Sequence, residues 1–76
     1  MTYDVRIESS AAAQKLNTIA QQYHFDIFVH GKQGYADAKS MLGLMLFTIE
    51  NDLKIVIEDG YDSKRFEKDI EEFIVK

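Results

Sequence analysis

Apolar and polar residues alternate from the start of the chain. Tyr3, Val5 and Ile7 fall on one side, Thr2, Asp4, Arg6 and Glu8 on the other. That is the period-two pattern of a half-buried strand, predicted over residues 2–8. Ser9-Ser10 breaks it. Ala12, Leu16, Ile19, Ala20 and Tyr23 then recur at helical spacing. A serine ahead of an alanine run is an N-cap signal, so a helix is predicted over about residues 10–23. Residues 25–29, Phe-Asp-Ile-Phe-Val, have the β-branched and aromatic content of a second strand. Gly31-Lys32-Gln33-Gly34 reads as a turn and residues 35–38 as a short third strand closing a hairpin. Ser40 precedes an apolar run, residues 41–47, whose leucines and methionines favour a helix capped by Ser40. Gly43 within the run predicts a short one. Glu50-Asn51-Asp52 is a polar turn. Leu53, Ile55 and Ile57 alternate with Lys54 and Glu58 as a fourth strand that ends at Asp59-Gly60. Asp62 or Ser63 caps a last helix with Phe66, Ile70 and Phe73 at i, i+4, i+7.

The order β-α-β-β-α-β-α describes an α+β fold. Each strand has one apolar face, and three helices on one side of a single four-stranded antiparallel sheet would cover those faces. The other sheet face would meet solvent, as an antiparallel sheet allows. No repeat, linker or low-complexity segment divides the 76 residues, so residues 1–76 are expected to form one domain.

Composition narrows the function. A chain of this length buries only about 60% of its unfolded surface, with no room for a deep enzyme cleft, and no enzymatic activity is expected. The chain has no cysteine, which excludes disulfides and thiolate metal sites and suits a reducing cytoplasm. Nine basic against thirteen acidic residues give a net charge of −4, and the basic residues are scattered. Nucleic-acid binding, which rests on clustered lysine and arginine, is not expected. No apolar stretch approaches the roughly 20 residues of a membrane span, and the charged, alternating N-terminus does not read as a signal peptide. His24 and His30 are the only histidines. Without a paired spacing they read as surface residues, and neither metal nor cofactor is expected.

Ala38-Lys39-Ser40-Met41-Leu42-Gly43-Leu44-Met45 resembles the HPr family of the bacterial sugar phosphotransferase system. The resemblance runs from about Ala20 to the C-terminus and includes Asp59-Gly60 ahead of the last helix. It implies the HPr open-faced β-sandwich. Members of that family carry phosphate on a histidine at the start of the first helix, usually in a His-x-Arg-Pro setting. Many also carry a regulatory serine heading the second helix.

Extending the match without gaps places Ser9 at the position of the phosphohistidine, Ala11 at the arginine and Ala12 at the proline. The chain has no proline at all, so the motif is not intact in another register. A carrier needs an imidazole nucleophile whose phosphoramidate keeps a high transfer potential, whereas serine gives a phosphate ester. Glu8 beside it adds charge of the wrong sign for a phosphoryl group. Ser9 or Ser10 therefore reads as the helix cap.

The resemblance keeps Ser40 as a regulatory phosphorylation site. A phosphate there would sit at a helix N-terminus, where the dipole and open N–H groups favour negative charge. It also implies a partner surface of Met41, Leu42 and Met45, since the run 41–47 is too apolar to be covered all round. The implied partners are proteins: an HPr kinase, a transcription regulator or phosphotransferase components. The expectation is an adaptor or regulatory module. The alternatives are a phosphocarrier with a relocated acceptor, and a structural domain that self-associates through the Met41 helix or an open strand edge.

Overall fold

The computed structural model describes residues 1–32, 34–58 and 63–75. Its elements are β1 (Thr2–Val5), α1 (Ser10–Gln21), β2 (Ile27–Gly31), β3 (Gly34–Asp37), α2 (Met41–Met45), β4 (Leu53–Ile57) and α3 (Ser63–Asp69), followed by a 3₁₀ turn at Glu71–Phe73. This is the predicted order. The strand end at Asp59-Gly60, the cap at Asp62 and Gln33 of the hairpin turn lie outside the described residues.

The sheet runs β1-β4-β2-β3 and is antiparallel throughout. Register follows from the alternation. Tyr3 pairs with Ile55, Val5 with Leu53, Ile27 with Ile57 and Val29 with Ile55, all facing the helices. The intervening pairs, Asp4 with Lys54, His30 with Tyr35 and Phe28 with Asp37, face solvent. A one-residue slip would exchange the two sets. Asp4 and Lys54 also form an ion pair across the strands.

Ala13, Leu16 and Ala20 of α1, Leu44 of α2, and Phe66, Ile70 and Phe73 from the C-terminal region complete the core. Among the described residues no polar or charged residue is buried. An aromatic group joins the end of α1 to α3. Tyr23 and Phe25 each meet the Phe66 ring edge-on, with centroids 5.3 and 5.8 Å apart. Tyr23 Oη donates to Asp69, and Arg65 lies over the Tyr23 ring at 5.6 Å.

Several boundaries differ from the sequence pattern, most of them for a tertiary reason. β1 stops at Val5 because Arg6 N turns to Phe73 O at 2.9 Å and Val5 bridges to Ile74; Ile7 stays fully buried outside the strand. α1 stops at Gln21, and Gln22 and Tyr23 close it with bonds to Ile19 O and Ala20 O. β2 begins at Ile27, because Phe25 is drawn into the aromatic group. The last helix ends at Asp69 and tightens to a 3₁₀ turn that brings Phe73 and Ile74 onto the β1 edge. The third strand also shifts by one residue, with Ala38 in the following turn.

Candidate functional site

Ser40 stands at the end of a turn held from three sides. Ala38 is buried and its N–H donates to Ile27 O at 2.8 Å. Asp37 Oδ1 accepts from Lys39 N at 2.8 Å, and Asp37 O accepts from Ser40 N at 2.9 Å. From α1, Asn17 Nδ2 donates to Ala38 O at 3.1 Å and Gln21 Nε2 to Lys39 O at 2.8 Å. These bonds leave Ser40 extended (φ −101°, ψ 108°), as an N-cap requires, with Oγ accepting from Gly43 N at 3.4 Å. The residue is exposed, with Lys39 beside it.

α2 packs closely on β3. A methyl group at Gly43 would lie 2.9 Å from Ala36 Cβ, inside van der Waals contact. The helix therefore lies against the sheet through Gly43 and Leu44 and turns its other side outward. Leu42 is 81% exposed, Leu46 72% and Ile49 88%, while Met45 is 39% exposed. Met41 is half-buried against the core and Phe47 is buried. Of the three residues expected to form the contact surface, Leu42 and Met45 lie on the exposed face and Met41 at its root. Leu46 and Ile49 extend that face. Residues 40–49 carry no ionisable side chain.

The second locus is the start of α1. Ser9, not Ser10, is the N-cap: it is extended (φ −159°, ψ 168°) and its Oγ accepts from Ala12 N at 3.1 Å. Beside it lies an open cleft of about 420 Å³ lined by Arg6, Glu8, Ala12, Glu72 and the backbone-paired residues 73–75. Arg6 faces Glu8 at 3.7 Å, and Lys15 pairs with Glu72 at 2.7 Å. Both nearby cations thus face a carboxylate. His24 lies beyond the far end of α1, a twelve-residue helix about 18 Å long that separates it from Ser9. His30 lies on the open sheet face, stacked on Tyr35 with centroids 5.4 Å apart. Neither imidazole reaches the α1 N-terminus.

Ile49 was not singled out from sequence, since it borders a polar turn. The roles of Asn17 and Gln21 left no local signal, because their partners lie 21 and 18 residues away. Among the described residues no group of three metal-ligating side chains converges, and no helix is long and apolar enough to cross a membrane.

A family model described as the PTS HPr component phosphorylation site matches residues 9–76. No curated protein sequence matches the chain. Among solved structures, the fold is similar to HPr-C-His from Thermoanaerobacter tengcongensis, with a TM-score of 0.71 and 20% identity over 97% of this chain and 88% of that one. It is equally similar to a phosphocarrier protein HPr from Bacillus anthracis strain Ames, with a TM-score of 0.71 and 18% identity over 99% of this chain and 96% of that one. At these identities the structural likeness speaks to the fold, which is an open-faced sandwich in all three.

Proposed function

The chain belongs to the HPr family, and from that premise we propose that it is a regulatory or adaptor member that works through Ser40 and the α2 face rather than as a histidine phosphocarrier. The carrying observation is the pairing of an exposed, capped Ser40 with an exposed apolar face on the same short helix. The other half of the family chemistry lacks its parts. Ser9 caps the helix where a phosphohistidine is expected, and the chain's two imidazoles lie elsewhere.

Phosphate on Ser40 Oγ would add nearly two negative charges beside the α2 amides and Lys39. It would also set that charge next to Leu42 and Met45, which changes what the apolar face can bind. The partner classes that fit are proteins: a kinase acting on Ser40, a transcription regulator, or components of the phosphotransferase system. The reading places the protein in the cytoplasm with those partners.

Intact mass after incubation with ATP and an HPr kinase tests this. One added phosphate, absent from Ser40→Ala, is expected. A parallel incubation with phosphoenolpyruvate and enzyme I is expected to add none. Acid-labile phosphate from that second reaction would instead establish a carrier with a relocated acceptor.

A further inference from the structure

We propose that Asn17 and Gln21 of α1 are positioning residues for the modification of Ser40, their side chains fixing the 38–40 turn in the shape in which a kinase takes the hydroxyl. This rests on reading Ser40 as a phosphorylation site and names what selects it. Exposure alone does not. Ser9 is also exposed, extended and placed before a helix, and its Oγ accepts from Ala12 N at 3.1 Å. The two serines differ in what holds the backbone around them. Among the described residues, no side chain of another element bonds to the backbone of residues 8–10.

Around Ser40 every backbone N–H and C=O has a partner. Ala38 N donates to Ile27 O, Lys39 N to the Asp37 carboxylate and Ser40 N to Asp37 O. Ala38 O accepts from Asn17 Nδ2, Lys39 O from Gln21 Nε2 and Ser40 O from Leu44 N. Only the hydroxyl is loosely held, by a contact of 3.4 Å to Gly43 N. It can turn toward a phosphoryl donor while the backbone stays in place. The transfer forms the bond from Oγ to the γ-phosphorus of ATP, breaks the bond from that phosphorus to its bridging oxygen, releases ADP and passes the hydroxyl proton to a base of the kinase.

The chain is anchored on both sides of the turn. Ala38 and Leu44 are fully buried, and Gly43 lies against Ala36. A kinase that drew residues 38–44 out as an extended strand would break those bonds and expose both side chains. The hydroxyl is therefore taken in the folded turn. Asp37 belongs to the same segment as Ser40, so the side chains that tie the turn to the rest of the domain are Asn17 and Gln21. They stand at i and i+4 of α1, so one helix face supplies both donors. A turn held in shape beforehand adds no ordering cost when the kinase binds. Loss of the two donors thus raises KM and leaves kcat, because the reacting atoms are unchanged.

Steady-state phosphorylation by ATP and an HPr kinase tests this, with the concentration of the full chain varied. The proteins are the parent, Asn17→Leu/Gln21→Met, Gln14→Met and Ile70→Val. The double variant removes both donors without adding charge. Gln14→Met alters the exposed surface of α1 away from the turn, and Ile70→Val loosens the core away from it. Circular dichroism checks that each keeps the fold. The double variant is expected to raise KM about fivefold or more with kcat unchanged, and the two controls to stay within about twofold of the parent. A double variant with the parent's KM, or a lower one, overturns the positioning role and leaves the regulatory reading standing. An equal rise in Gln14→Met means that the kinase touches α1 directly, and an equal rise in Ile70→Val that overall stability sets the rate; either overturns the proposal. A parent that takes no phosphate on Ser40 removes the regulatory reading and this inference with it.

Discussion

Gly43 and Gly31 look alike in sequence and act differently. Alanine at Gly43 would gain about 1 kcal/mol of helix propensity. It would also drive a methyl into Ala36 Cβ, which belongs to a strand and yields only if the backbone moves. Overpacking of this kind costs about 1–3 kcal/mol. Gly43→Ala is therefore expected to destabilise by about 1 kcal/mol in urea unfolding, and adding Ala36→Gly is expected to recover most of the loss. A Gly43→Ala protein more stable than its parent would show that α2 does not pack on β3 at this point. Gly31 supports a different close approach. A methyl there would meet the end of the Glu50 side chain, which can swing away, and Phe47 Cε1 at 2.7 Å, which is held in the core. Ser40→Ala removes the cap and is expected to cost about 1 kcal/mol, while Ser40→Asp, which can still accept from Gly43 N, is expected to retain most of that stability. Comparing their urea midpoints separates the cap from any phosphate effect.

The elements differ in what holds them. α1 is twelve residues with an N-cap, and three fully buried side chains on one face anchor it to the core. α2 is five residues, too short to be helical alone. It stands because Leu44 and Phe47 are buried and because Asn17 and Gln21 fix the turn that precedes it. Asn17→Ala is expected to raise amide hydrogen exchange in residues 38–45 at least tenfold while leaving the β4 amides unchanged. Equal effects in both would mean that α2 opens only with the whole domain. Tyr23 joins α1 to α3 in the same way, through Asp69, Arg65 and the Phe66 ring.

At the scale of the molecule, one small core serves every element, so the loss of a single large side chain is felt throughout. Phe66 is fully buried among Tyr3, Tyr23 and Phe25. Phe66→Ala is expected to cost about 3–5 kcal/mol, comparable to the whole stability of a domain this size, and thermal melting of that variant should lose its cooperative transition. The alkaline limit is set in part by Tyr3. Burial raises its pKa above the usual tyrosine value, the Glu67 carboxylate adds to this, and the Ser63 hydroxyl opposes it. The folded state then keeps the phenolic proton at a pH where the unfolded chain has lost it. Stability is therefore full below about pH 10 and declines as pH rises toward the folded value. Urea midpoints measured from pH 8 upward are expected to fall less steeply in Tyr3→Phe than in the parent.

The sequence by itself determined the element order, the α+β class and nearly all of the core, because burial in strands and helices repeats with periods of 2 and 3.6 that local reading detects. It also placed Ser40 at a helix start and put serines, not a histidine, at the start of the first helix, since caps and residue identities are local. Only the tertiary structure decided where β1 and the last helix stop, because both ends are set by the pairing of Val5 with Ile74. It alone divided the run 41–47 into buried Leu44 and Phe47 and exposed Leu42, Met45 and Leu46. A helix apolar on every side has no moment to read, so its outward face is fixed by the strand and helix packed on the others.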